Sequence, residues 1–511
     1  MHKYWGKKPS SDLKELIEIY SNEGDTLLDP FSGYGVFCGE AFLLNRNVIA
    51  NDLNPIAHFI NFQLLNLDID IPLVRRQWKK IKLDFQSFSE EWYSWKENDE
   101  SVQLISILRS KEDIPLKAKY KQPGKRQLIE FSLDSAKVRK FLLKEESTKI
   151  NDWYPKTELI RNSRISAKKG MTVADLFTKR TLSCHARLLQ LIETHSSGNE
   201  NNLFKLAFTA NLANCSKLVP PIKTRGEMSQ GAWMTGFYTG ETYIENNVIH
   251  YYENRLNKTI RGKLDYLNQL GADGQLNIMG TNISNKFTTL QKDAKSLGLK
   301  PESIDYVFTD PPYGDAVPYF EQSIIWNSWL KFEPDYNNEI VISDSKDRSK
   351  DIDHFEEDIK LSFAEISRVL KKDKYFSLTY HSLSGLEWKA ITNACIQNGF
   401  ELVNFKWLVQ RSFTPRQINR IKSIKGDVLV TFKNTRQIQK SHIRSNKEIE
   451  NYFYTKIYSW LENEPLDTNQ IFLNIMEDVF SKKLLIGDVD LLKILLGNFV
   501  LNETNNWIIN D

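Results

Sequence analysis

The first 66 residues alternate between helical spacing of apolar positions and short apolar runs. Leu13, Leu16, Ile17 and Tyr20 follow the capping residues Ser10, Ser11 and Asp12, and their spacing predicts an amphipathic helix. Asp25 to Asp29 reads as a strand that runs into a glycine turn, Phe31-Ser32-Gly33-Tyr34-Gly35, and then into a helix ending near Leu44. Asn47 to Asp52 reads as a second strand, and Pro55 opens another helix. The unit is strand, helix, strand, with a right-handed crossover expected. From about Asp68 to Gly271 this rhythm gives way to long mixed segments rich in aromatic and basic residues. Alternation resumes with strands at Leu276 to Met279 and Ile304 to Phe308, a helix from Phe355 to Leu370 and a strand from Tyr375 to Tyr380. A helix from Glu387 to Asn398 and strands at Leu402 to Val409 and Asp427 to Phe432 complete it. After Asn434 apolar residues return to helical spacing, with Ile471, Ile475 and Val479, then Leu491, Leu492, Leu495 and Leu496.

The pattern predicts an α/β protein whose doubly wound, mostly parallel, Rossmann-like sheet is interrupted by a large inserted domain and followed by a helical tail. The expected divisions are 1–67 with 272–434 for the sheet domain, 68–271 for the insertion and 435–511 for a helical C-terminal domain. Composition agrees with a folded protein: 511 residues, 41% hydrophobic and 26% charged. No apolar run is long enough to span a membrane and the N-terminus lacks a secretion signal, so a soluble, cytoplasmic protein is expected. Four scattered cysteines, Cys38, Cys184, Cys215 and Cys395, have neither disulfide-framework nor metal-ribbon spacing, so no metal is expected. The net charge is only +3, yet Ser101 to Arg180 holds 19 Lys and Arg against 9 Asp and Glu. Such a segment suits a phosphate backbone, or is a solvated basic surface.

Two loops carry candidate chemistry. Asp29-Pro30-Phe31-Ser32-Gly33-Tyr34-Gly35 follows the first strand, and Asp52-Leu53-Asn54 closes the second. Glycines let the backbone turn tightly against a ligand, helix amides point toward it, and a second-strand carboxylate can accept hydrogen bonds from ribose hydroxyls. Thr309-Asp310-Pro311-Pro312-Tyr313-Gly314 follows another apolar strand. Ligands of doubly wound sheets bind beyond the carboxyl ends of the strands, so both loops are expected to face one crevice.

With these motifs the chain resembles the S-adenosylmethionine-dependent DNA methyltransferases that act on exocyclic amines, adenine N6 or cytosine N4. Asp29 to Gly35 is similar to that family's cofactor motif, Asp310 to Tyr313 to its catalytic tetrapeptide, and Tyr4-Trp5-Gly6-Lys7-Lys8-Pro9 to the segment that closes over the methionine end of the cofactor. The resemblance covers residues 1 to 66 and about 275 to 434. It implies cofactor contacts from Lys8, Pro9, Asp29, Pro30, Phe31, Gly33, Gly35, Asp52, Leu53 and Asn54, and catalysis by Asp310, Pro311, Pro312 and Tyr313. The order of motifs implies that the insertion is a target-recognition domain, with double-stranded DNA as partner and the target base flipped out of the helix. Thr172 to Arg180 and Asn214 to Arg255 look like insertions seen in relatives. A restriction or defence-system partner is a further expectation.

Tyr34, Val36 and Phe37 depart from the small residues frequent in the family's loop, and Gly280-Thr281-Asn282 stands where many relatives carry Gly-Asp. Adenine is favoured over cytosine because the Asp form of the tetrapeptide is commoner among adenine enzymes. An RNA guanine-N2 methyltransferase and a non-catalytic DNA-binding subunit are the competing readings. Trp233, Phe237 and Tyr238 on a glycine-rich loop either stack on bases or pack in a core. Arg411, Arg416, Arg420, Lys422 and Lys425 are either a backbone-binding loop or a solvated hairpin.

Overall fold

The computed structural model describes residues 8–97, 100–121, 128–272, 286–380, 386–408, 427–438 and 445–510. The expected strand at Leu276 to Met279, the Gly280-Thr281-Asn282 turn, the basic loop from Arg411 to Lys425 and the segment Tyr4 to Lys7 lie outside the described residues.

The chain forms two compact units. One holds the described residues of Trp5–Asn61, Ser284–Val317 and Asp335–Asp511, the other those of Phe62–Ile283 and Pro318–Pro334. Seven strands build the sheet of the first unit: β1 (Thr26–Asp29), β2 (Asn47–Asn51), β3 (Phe287–Leu290), β4 (Ile304–Thr309), β5 (Leu370–Tyr380), β6 (Phe400–Leu408) and β7 (Asp427–Asn434). Their order across the sheet is 3-2-1-4-5-7-6. Pairs 1 with 2, 1 with 4, 4 with 5 and 2 with 3 are parallel, and β7 runs antiparallel to both β5 and β6. This is the mostly parallel, doubly wound sheet that the pattern predicts.

Sequence and burial agree strand by strand. All six residues of β4 are buried, as an apolar run covered on both faces should be. The helix over Ile352–Val369 starts where the Asp351 carboxylate accepts the His354 amide. Strand β3 is absent from the predicted pattern because Phe287-Thr288-Thr289-Leu290 is short and half polar, and its place is at the sheet edge, beside β2.

The tail is not a body of its own, contrary to the division expected at 434. Helices over Asn446–Leu461, Thr468–Ser481 and Leu491–Asn498 share one apolar core with the sheet. The Phe480 ring lies 4.9 Å from Phe432 of β7, and the Trp388 indole donates to the sulfur of Met476 at 2.8 Å. The closing stretch forms a hairpin of Phe499–Leu501 with Trp507–Ile509, and Trp507 is buried.

The second unit carries a five-stranded antiparallel sheet, in which Glu100–Ser110 pairs with Ser94–Glu97, Pro115–Lys121 and Thr242–Asn246. Two cations of the basic segment are internal here. Arg109 and Arg180 both bridge Glu145 and Glu245, a balanced set of two positive and two negative charges. Burial alone would lower the Arg109 pKa; the carboxylates of Glu245 and Glu145 outweigh it and raise it. Exposed basic residues concentrate in the irregular stretch after the helix Ser135–Ser147, at Lys149, Lys156, Arg161, Arg164, Lys168 and Lys169.

The unit also takes the helix Tyr319–Trp329, every residue of which from Phe320 onward is buried. The Trp329 ring packs among Phe177, His185 and Phe208, and Trp326 meets Trp233 edge-on. Trp233 and Phe237 are therefore core residues, which corrects the stacking alternative for them, whereas Tyr238 is exposed.

Because the tail completes the core over the sheet, Phe480→Ala should cost about 3–5 kcal/mol of stability. Truncating the exposed Leu496 to Ala should leave stability nearly unchanged, and urea unfolding of both variants checks the contrast.

Candidate active site

The parallel register of β1 on β4, Leu27 to Tyr306 and Leu28 to Val307, brings the ends of both strands to the same sheet edge. There the Thr309 hydroxyl donates to Asp29 Oδ1 at 3.1 Å, and the Phe31 amide donates to the same oxygen at 3.1 Å. Burial pushes the Asp29 carboxyl well above the usual carboxylate range, and the nearby Asp310 and Asp52 push it further. Asp29 is thus an internal clamp between the two loops, and Pro30 beside it is buried. Phe31 is half-buried against the core.

The glycine loop is pinned from both sides. Gly33 and Gly35 have φ of 49° and 80°, in the left-handed region that favours glycine, and Gly35 caps the helix Val36–Leu43. The Ser32 amide donates to the Asn51 carbonyl at 2.9 Å, and the Asn61 side-chain amide reaches Ser32 Oγ and the Gly33 carbonyl. Asp52 accepts the Gly33 amide at 2.8 Å and the Asn54 amide at 2.9 Å. Burial nevertheless raises its pKa to about 6, against the pull of those two amides. Leu53 is half-buried and Asn54 buried.

Asn51 extends the arrangement to β3. Its side-chain amide donates to the Pro30 and Lys292 carbonyls at 3.0 Å each, and its side-chain oxygen accepts the Lys292 amide. The acidic residue just beyond this junction is Asp293, partly exposed and 3.5 Å from the Lys295 ammonium. Sequence reasoning misses Asp293 because it places the preceding strand at 276–279; the available signal is an acid two residues after a Thr-Thr-Leu-Gln run.

The loop after β4 gathers the densest polar contacts. Asp310 Oδ1 accepts hydrogen bonds from the hydroxyls of Tyr313 and Thr379, and lies 3.1 Å from the Lys8 ammonium. That ammonium also donates to Tyr313 Oη at 2.9 Å and to Asp427 Oδ2 at 2.8 Å. Burial alone would lower the Lys8 pKa, and the two carboxylates more than reverse this. All three donors converge on one oxygen, and among the described residues none donates to Asp310 Oδ2. Pro311 is buried and Pro312 half-buried. Gly314 closes the loop with φ 55°, and a Cβ there would stand 2.5 Å from Glu387 Oε1.

The expected site residues therefore fall into two groups. Asp29 to Gly35 and Asp52 to Asn54 form the glycine loop and its support, while Lys8 joins the Asp310–Tyr313 loop and Pro9 is exposed at the start of the helix Ser10–Tyr20. Thr379, Glu387 and Asp427 are additions that the sequence does not announce, being single polar residues far from either motif.

Residues 2–61 match the family model described as DNA methylase, of the N6-adenine and N4-cytosine type. Among solved structures, an rRNA methyltransferase, aviRa from Streptomyces viridochromogenes, aligns at 9% identity and a TM-score of 0.29, over 84% of this chain and 87% of its own. A possible exported protein from Bordetella parapertussis aligns at 9% identity and a TM-score of 0.15, over 32% and 49%. No curated protein sequence matches the chain. The family match supports a methyltransferase, and the sheet order and the two loops at its edge agree with it.

Gly314→Ala should destabilise the protein by about 1–2 kcal/mol, since it adds left-handed strain to a clash with Glu387. Adding Glu387→Ala should relieve only the clash, so urea unfolding of the double variant should recover part of the loss.

Proposed function

We propose that this chain is an S-adenosylmethionine-dependent DNA methyltransferase that modifies an exocyclic amine, adenine N6 in preference to cytosine N4. The observation that carries the reading is the pairing of the glycine loop with the Asp310–Tyr313 loop, clasped by the bond between Thr309 and Asp29. The cradle suits the cofactor. Gly33 and Gly35 present no Cβ, and the Asp52 carboxyl lies at the loop's rim with its position set by two amides. Asp52 can accept ribose hydroxyls there, and Asp293 is a further acceptor at the next strand end. When bound, S-adenosylmethionine supplies an electrophilic methyl group on a sulfonium.

The residues of the chain account for the rest of the chemistry. An exocyclic amine is a poor nucleophile because its lone pair is delocalised into the ring. Asp310 Oδ2, facing away from the three donors on Oδ1, accepts one amine hydrogen, and the Pro311 carbonyl accepts the other. Both contacts draw the nitrogen toward tetrahedral geometry and free the lone pair, and the two prolines hold the acceptors at low entropic cost. The Tyr313 hydroxyl fixes the carboxylate, leaving its ring to stack on a base that has left the duplex. Exposed Arg161, Lys168 and Lys169 of the second unit supply charges for DNA phosphates.

Transfer of labelled methyl to unmethylated genomic DNA, with total RNA in parallel, is the direct test. Label is expected in N6-methyladenine of DNA and absent with Asp310→Ala, while label confined to RNA would reject the DNA reading. Asp52 adds a pH dependence. Its carboxyl accepts ribose hydroxyls best when ionised, so cofactor affinity should be full above its raised pKa and decline as pH falls through about 6. Asp52→Asn should bind more weakly at pH 8 and lose this decline, as measured by equilibrium dialysis of the labelled cofactor.

A further inference from the structure

Three side chains from distant parts of the chain meet at the catalytic loop. Lys8 precedes the first helix, Asp310 ends β4, and Asp427 opens β7. The antiparallel direction of β7 explains the third. The parallel strands end at the edge where β7 begins, so its first residue comes level with their last ones; Val428 pairs with Tyr380, and Thr309 with Leu378. The Lys8 ammonium is bracketed at 3.1 Å by Asp310 and at 2.8 Å by Asp427, with side-chain exposures of 7%, 16% and 5%.

We propose that Lys8 and Asp427 are positioning residues that act through Asp310, holding the orientation of the catalytic carboxylate, rather than cofactor-binding groups. The inference rests on the reading of Asp310 as acceptor of the substrate amine. The Lys8 ammonium, together with the hydroxyls of Tyr313 and Thr379, occupies Oδ1, which turns Oδ2 toward substrate. A lysine paired with Asp310 alone would neutralise it and hold it back. Asp427 draws the ammonium from the opposite side, at the shorter distance, so that Asp310 is stabilised without being consumed. The contrast with Arg109, Arg180, Glu145 and Glu245 is informative: that buried set balances its charges two against two and is structural. Around Asp310 the Lys8 ammonium is instead held between carboxylates from the ends of two different strands, which fixes its position from both sides.

The test uses the full chain with unmethylated DNA and measures kcat beside the dissociation constant for S-adenosylmethionine. Lys8→Met should lower kcat by about tenfold or more with cofactor affinity changed by less than about threefold, because the effect runs through Asp310. Adding Asp427→Asn to Lys8→Met should lower kcat little further, because Asp427 acts through Lys8, and Lys8→Arg should stay closest to wild type. If Lys8→Met fails to fold, Asp427→Asn alone carries the test: a kcat reduced about fivefold or more at unchanged cofactor affinity supports the proposal. Weakened cofactor binding with kcat intact, losses that multiply in the double variant, or wild-type kcat in Asp427→Asn would each overturn it. Wild-type protein that methylates nothing would instead remove the reading of Asp310 itself, and the two failures differ in whether wild type is active.

Discussion

The parallel pairing of β1 with β4 is the constraint on which the site depends. Their loops are 280 residues apart in the chain, yet the register that sets Leu28 beside Val307 leaves Asp29 and Thr309 within one hydrogen bond. Every later contact builds on that edge. Asp29 ties the glycine loop to the loop after β4, Asn51 ties it to the end of β3, and Asp52 fixes its backbone. The glycine loop and the Asp310–Tyr313 loop are thus one hydrogen-bonded rim, held at the carboxyl ends of parallel strands where such sheets bind ligands.

Burying charge is expensive, and the two units handle it differently. In the second unit, Arg109 and Arg180 share Glu145 and Glu245 between the long strand, two helices and the neighbouring strand, and Arg180 also packs on the Phe141 ring. Full mutual pairing makes that set tolerable in a dry interior. Around Asp310 the Lys8 ammonium is shared between Asp310 and Asp427.

The chain leaves the loop after β4 at Val317 and passes directly into a helix that belongs to the other unit. Periodicity cannot foresee this. The helix Tyr319–Trp329 has apolar residues on all sides, and such a helix announces burial without saying in which core. Its position after the tetrapeptide suggests the sheet domain, whereas Trp326 and Trp329 fit among the aromatic rings of Phe177, Phe208 and Trp233. The tail shows the converse. Its helical spacing is legible and its attachment is not, because the apolar faces that mark a helix are the same whether they cover another tail helix or the sheet.

What the sequence determined by itself was local: strand runs covered on both faces, caps, glycines that require positive φ, and the two motifs at strand ends. These depend on residues within a few positions of one another, so the loops Asp29 to Gly35 and Asp310 to Tyr313 and the strand-end Asp52 are recognisable as candidate site residues from the chain alone. Strand β3, the place of Asp293, the partners Thr379, Glu387 and Asp427, and the contact of Lys8 with the Asp310–Tyr313 loop were decided only by tertiary structure. Lys8 and Asp427 are 419 residues apart and neither carries a local pattern. Their meeting follows from strand order and from the reversed direction of β7, which no spacing along the chain encodes.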